Sequence, residues 1–342
     1  MTVFRALASG LGRVIGAPVI LVSLYLITLL ITVPAGLLVR ASIAAHLGSS
    51  AAAHRMADGI DADWWDEFTA QAQGLERTVT PSIIGFAAVL TNASALADAE
   101  AQQPAVIGLV VAYLLVWTFL TGGALDRYAR QRATRSAGFF SACGVYFLRF
   151  LRLAVIAAPL YWILFATVHP WLFGRFFDQL TRDWTVERDG FLLRAGLYAV
   201  FAVLVGAVNL LFDYAQIRTV VEDRRSMVVA TAAAFRFVRR RPGQTVGLYL
   251  TNGLLLVAVM ATYAQVAPGA GSTGRSMWIA FLVGQAYVSA RLLTKLTLMA
   301  SQTAYFQSQL AHATYTAAPH VGRAESPAAE AMSPPEAMHN AQ

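Results

Sequence analysis

Six stretches of this chain each run for about twenty residues with scarcely a charge. That length of helix crosses a hydrocarbon core, and a soluble fold has no use for so many. The stretches cover residues 17–39, 105–123, 150–168, 191–212, 246–266 and 277–299. Lipid offers no hydrogen bonds, so each stretch must satisfy its backbone internally, as a helix does. The expected fold class is therefore all-α: a polytopic membrane bundle of six transmembrane helices, with amphipathic cytoplasmic interfacial helices. Only 13% of the residues are charged and 57% are hydrophobic, with a mean hydropathy of +0.55. A soluble domain carries about twice that share of charge, and a disordered chain carries far less apolar surface.

The first stretch is too long, and followed by too much spanning sequence, to read as a cleaved signal peptide. Pro18, Pro34 and Pro159 lie near or inside spans, where neighbouring helices can re-satisfy the backbone. A seventh candidate, residues 81–97, is short and carries Ser82, Thr91, Asn92 and Ser94. It reads as a re-entrant or interfacial helix with Pro81 in its first turn. The expected domain map is an amphipathic cytoplasmic segment (1–15), a six-span domain (16–310) and a disordered cytoplasmic tail (311–342) rich in Ala, Pro, Ser and Glu. An extracytoplasmic loop occupies residues 40–104.

With six spans the two termini share a side. That side carries 18 of the 26 basic residues and 7 of the 19 acids; the other carries 8 and 12. The net charge of +7 thus divides into a strongly positive face and a negative one. The positive-inside rule places both termini in the cytoplasm and makes anionic membrane lipid, rather than nucleic acid, the natural partner. A seven-span chain with its N-terminus outside keeps a similar bias, so charge alone leaves both topologies open. The basic residues are 25 Arg and a single Lys, a codon signature of GC-rich bacteria. The expected location is the bacterial inner membrane.

Two connections on the basic side look alike. One begins at Leu125 and runs through Arg152; the other begins at Phe212 and runs through RFVRRRPG to Gly243. At an offset of 90, Arg135-Ser136 matches Arg225-Ser226, and Phe147-Leu148-Arg149 matches Phe237-Val238-Arg239. Asp126 and Asp213 close the preceding spans at the headgroup level. Each connection reads as an amphipathic helix with Ser136 or Ser226 as N-cap. The expected apolar stripes are Phe140–Cys143–Phe147–Leu151 and Met227–Thr231–Ala234–Val238. Pro242-Gly243 stops the second. Residues 4–13 form a weaker third copy, with Phe4 and Arg13 in the places of Phe140 and Arg149. The unit, a basic interfacial helix followed by a membrane hairpin, is a parallel repeat.

The Asp126 and Asp213 segments, with their basic followers, resemble uncharacterised six-helix bacterial membrane proteins. That group includes the membrane domains attached to some glycerophosphodiester phosphodiesterases. The catalytic barrel of those enzymes has no room in this chain, so the resemblance implies a membrane fold and transfers no catalytic residue.

Residues 58–77 of the outer loop suggest a helix capped by Asp61 or Asp63, with Trp65, Phe68, Ala72 and Leu75 on one face. Its acids, with His54 and Asp58, match no metal-loop spacing and read as a solvated face. Among residues at membrane depth, Arg194, Arg291 and Lys295 can snorkel to the nearest surface. Asn209, Asn252 and Gln285 are deeper; they read as hydrogen-bonding glue between helices, or as the lining of a substrate path. Arg149, Arg152, Arg236, Arg239, Arg240 and Arg241 are the expected lipid-headgroup contacts. Phosphate-loop, G-x-S-x-G and H-E-x-x-H motifs are missing from the sequence, and Cys143 on an apolar stripe reads as a packed thiol. No catalytic residue, cofactor or metal ligand is expected. The function expected from the sequence is a non-enzymatic scaffold, assembly or regulatory protein held on anionic lipid, with a membrane-protein partner or a second copy of itself. A transporter subunit comes next, and a lipid-modifying enzyme third.

Overall fold

A computed structural model describes residues 1–48, 52–53, 61–80, 85–132, 135–267 and 274–312. His54, Asp58, Pro81, Ser82 and the tail beyond 312 lie outside the described residues. The described chain is all helix: α1 (Val3–Ile15), α2 (Pro18–Leu47), α3 (Ala62–Gln71), α4 (Gly85–Ala97), α5 (Pro104–Arg130), α6 (Ser136–Thr181), α7 (Glu187–Val221), α8 (Met227–Arg240), α9 (Pro242–Val266) and α10 (Gly274–His312). Six of them, α2, α5, α6, α7, α9 and α10, are long and apolar enough to cross a membrane, the make-up of a multi-pass membrane protein. The 13 described residues of α4 are fewer than a span needs.

The long α10 is the axis of the bundle and packs against α1, α2, α5, α7 and α9. Packing is concentrated at one end. There α1 and α8 lie against the ends of α7 and α10. Tyr128, Phe150, Tyr214, Ile217, Leu296 and Phe306 are fully buried in one continuous core. The approach of α1 to α10 depends on Gly10: a Cβ there would sit 2.5 Å from the Ser301 backbone nitrogen. Gly122 and Gly123 do the same for α5 against α6, with the Cys143 Sγ 2.6 Å from where a Gly123 Cβ would be. Toward the other end a smaller cluster, Leu164, Leu172, Leu197 and Phe201, joins α6 to α7, and α2 has only Ile20 and Leu24 buried.

The joints between interfacial and spanning helices explain which copies of the repeat stay separate. Ala17 (φ −141°, ψ 57°) and Arg241 (φ −140°, ψ 52°) adopt nearly the same off-helix conformation, and each precedes a proline at the first helical position. Proline pushes the residue before it out of the α region. So α1 breaks from α2, and α8 from α9, in the same way. The remaining connection has no proline at that place, and α6 runs unbroken from Ser136 through its span. The expected interfacial helix there is instead the extension of a spanning one. Ser136 is its first helical residue rather than its cap, and Ser226 occupies the cap position of α8 without a side-chain hydrogen bond. The buried face of α6 is Cys143, Tyr146, Phe150 and Leu153, whereas Phe140 is 51% exposed. The stripe is turned from the expected one because the small residues of α5, not its large ones, receive α6. In α8, Met227 and Ala234 are buried as expected, joined by Ala230 and Ala233.

Farther along α6, two stretches of π-helical turns, Leu164–Val168 and Trp171–Phe176, flank His169-Pro170. Pro170 has no N–H to donate, so the hydrogen-bond ladder reorganises around it. The described part of the outer loop folds onto the end of α2. Asp61 caps α3 by accepting from the Trp64 N–H at 3.0 Å. Trp64, Phe68 and Ala72 are buried against Val39, Ile43 and Leu47, with Trp65 at the margin. Asp63, Asp66 and Glu67 face outward. Helix α4 is tied to α6 and α7: its Asp98 accepts from the Tyr198 hydroxyl and, at 3.1 Å, from Ser94, and lies 3.8 Å from Arg194. His169 Nε2 meets the Ala97 carbonyl at 2.8 Å.

Candidate functional site

Two features stand out, a basic surface and a half-open chamber between helices. The surface is formed by α1, α8 and the ends of α5, α6 and α7. Each described acid at this end is used within the protein. Asp126 pairs with Arg130 at 2.6 Å, and Asp223 with Arg149 at 2.5 Å. Glu222 binds both Arg218 and Arg224, and Asp213 accepts from Gln302 at 3.3 Å. Arg5, Arg152, Arg225, Arg236, Arg239 and Arg240 are left exposed, with no acid against them among the described residues.

The six expected headgroup contacts therefore divide. Arg149 has a side chain only 17% exposed; it also donates to the Arg224 carbonyl and stacks on Tyr146. Arg241 is half-buried over Phe237 at 5.8 Å. Both brace the bundle. Arg152, Arg236, Arg239 and Arg240 project from it. Arg13, the counterpart of Arg149 in the weak third copy, is likewise internal, donating to the Tyr128 carbonyl and Gln307 Oε1, both at 2.9 Å. Phe4, the counterpart of Phe140, is 75% exposed. Around the free arginines the exposed faces also carry large apolar groups: Val228 and Phe235 on α8, Leu148 and Val155 on α6, Leu11 and Ile15 on α1. Alternation of Arg with apolar groups on one face suits the boundary between headgroups and acyl chains.

The chamber lies just inside this end. One lobe, a cavity of about 710 Å³, is bounded by α2, α5, α9 and α10. A second, of about 280 Å³, is bounded by α5, α6, α7 and α10. Leu114, Trp117 and Lys295 line both. The sequence puts Asp213 at the headgroup level and Lys295 at membrane depth near the end of its span. Helix α10 runs on from Lys295 to His312, and α7 from Asp213 to Val221, so neither residue closes its helix; Asp213 is half-buried and Lys295 is exposed to the open chamber. Two apolar spans have simply continued as buried, more polar helix, which hydropathy counting reads as the end of a span.

Asn209 accepts from the Tyr161 hydroxyl and lines the smaller lobe with Asp213. Asn252 lines the larger one; its Nδ2 donates to the Leu248 carbonyl at 2.9 Å, while its buried Oδ1 has no partner. Gln285 accepts from Tyr25 at 2.9 Å and joins α10 to α2, outside both lobes. The expected glue role fits Gln285 and Asn209, each joined to a tyrosine of another helix. It does not fit Asn252, whose one hydrogen bond is to its own helix. Arg291 and Thr294, which the sequence reading did not assign to a cavity, share the larger lobe with Lys295. Their spacing of three and four residues was the available signal, since it puts them on one face of α10. Arg194, with its side chain 53% exposed, lies 3.8 Å from Asp98 and over Tyr198.

No protein family, curated protein or solved structure matches this chain. The resemblance to phosphodiesterase-associated membrane domains thus rests on the Asp126 and Asp213 segments alone.

Proposed function

We propose that this is a bacterial inner-membrane protein with both termini in the cytoplasm, a non-enzymatic scaffold or regulatory component that grips anionic lipid through its arginine surface. The observation that carries the reading is the pairing pattern at the α1/α8 end. Its described acids are consumed by internal pairs, whereas Arg152, Arg236, Arg239 and Arg240 stand free beside exposed apolar groups. Each arginine near an anionic leaflet contributes about 1 kcal/mol, an attraction that fades within a Debye length. The purified protein, reconstituted with rising fractions of phosphatidylglycerol, should gain thermal stability at low salt and lose that gain at high salt. Arg236→Gln/Arg239→Gln/Arg240→Gln should lose most of the gain. Equal stability of the unaltered protein in phosphatidylcholine and phosphatidylglycerol would overturn the reading.

A second reading, a transporter or permease subunit, draws support from the two-lobed chamber. Reconstituted substrate flux abolished by Asn252→Leu with the fold intact would favour it.

A further inference from the structure

We propose that the larger lobe of the chamber is a binding site for a single anionic lipid, its phosphate held by Arg291 and Lys295. The proposal names a ligand class for the chamber and stands independently of the arginine surface.

Arg291 and Lys295 are one turn apart on α10, and both side chains open into the lobe. No acid pairs with either among the described residues. A charge at membrane depth is expensive unless it meets water or an opposite charge. Both side chains are exposed at the open lobe and neither is packed into the core. Beyond Lys295, α10 continues for about 25 Å at 1.5 Å per residue, through a region where Leu296, Ala300 and Phe306 are fully buried. The two cations therefore face a chamber that the protein has not filled, with the Asp213 carboxylate in the adjoining lobe, and an oxyanion is their chemical complement.

The other walls say what carries that oxyanion. Leu114, Leu256, Val288, Leu292 and Leu298 give the lobe an apolar lining suited to acyl chain. One wall is α2, whose only buried residues are Ile20 and Leu24, so the lobe has a loosely packed side through which a lipid can enter from the bilayer. The buried Asn252 Oδ1, 3% exposed at the residue and without a partner, can accept from a headgroup hydroxyl. Phosphate, hydroxyl and acyl chain together describe phosphatidylglycerol better than a soluble anion. A volume of about 710 Å³ falls within the range of small-ligand sites, roughly 300–1,000 Å³.

The test is native mass spectrometry of the full chain in detergent, titrated with phosphatidylglycerol, with phosphatidylcholine of the same chains, and with inorganic phosphate as competitor. One phosphatidylglycerol should be retained. Arg291→Gln/Lys295→Gln should weaken it at least about tenfold. Leu256→Trp, which fills the lobe and keeps both charges, should do likewise and carries the test if the charge variant does not fold. The α8 triple variant should retain the lipid. Retention by the charge variant or by Leu256→Trp, equal retention of phosphatidylcholine, or displacement by inorganic phosphate would overturn the proposal. Loss on altering α8 alone would also overturn it, assigning the lipid to the surface and leaving the first reading intact.

Discussion

Replacing Gly10 by leucine should detach α1 from the bundle, whereas the same change at Gly12, in the same helix, should be harmless. A Cβ at position 10 would lie 2.5 Å from the Ser301 backbone nitrogen and 2.6 Å from its Cα, whereas one at position 12 meets nothing within 4 Å. Helix propensity favours both substitutions equally, by about 1 kcal/mol. The overlap at Gly10 is with backbone of the central helix, which cannot rotate aside, so the cost stands at the upper end of the roughly 1–3 kcal/mol seen for overpacking. If α1 lifts away, Arg13 also loses its hydrogen bonds to the Tyr128 carbonyl and Gln307, each worth about 1.5–3 kcal/mol for a charged donor. The net loss for Gly10→Leu is therefore about 2 kcal/mol for the overlap and more with detachment. Unfolding in detergent, followed by fluorescence-detected size exclusion, should show a midpoint fall of at least about 4 °C for Gly10→Leu. Gly12→Leu should match or slightly exceed the unaltered protein. Equal midpoints for the two variants would refute the close α1–α10 contact.

Other outcomes follow from particular contacts. A double-mutant cycle of Arg149→Gln and Asp223→Asn should give a coupling of about 0.5–1 kcal/mol, since the pair is well formed but Asp223 is 65% exposed; zero coupling would make Arg149 a free surface charge. Hydrogen bonds from Tyr198, then from Ser94, and the nearby Arg194 and His169 hold the Asp98 carboxyl below its ordinary range. The stability this gives the α4 clamp is present at neutral pH and is lost only as pH falls through that lowered value. Hydrogen exchange of Gly85–Ala97 should therefore rise at strongly acidic pH in the unaltered protein and be high at all pH in Asp98→Asn. Cys143 is fully buried, so a maleimide should label it only after unfolding; rapid labelling of the folded protein would contradict the α5–α6 packing.

How far the sequence spoke depended on whether the signal was local. The six spans and the stop at Pro242 follow from hydropathy and from proline, which act within a few residues; local spacing narrowed the cap of α3 to Asp61 or Asp63, and the structure uses Asp61. The fate of Arg149 was not legible, because its partner Asp223 is 74 residues away and nothing local distinguishes it from the free Arg152. The chamber was invisible for a related reason. Arg291 and Lys295 sit near the end of an apolar stretch, which is where snorkelling residues also sit. Nothing local shows that α10 runs on past them through a buried core or that their side chains open into the chamber. Proline also explains the one helix boundary that sequence similarity suggested wrongly: the repeat predicts a break before the third span, but the residue that makes the break at Ala17-Pro18 and Arg241-Pro242 is absent there.

The central claim is that the arginine surface faces the cytoplasm and the α3 side faces out. In a Cys143→Ala background, single cysteines at Arg225→Cys and Asp66→Cys report the two faces, since both positions are exposed. A membrane-impermeant maleimide added to intact cells should label Asp66→Cys and leave Arg225→Cys unlabelled until the membrane is opened. Labelling of Arg225→Cys in intact cells would contradict the account.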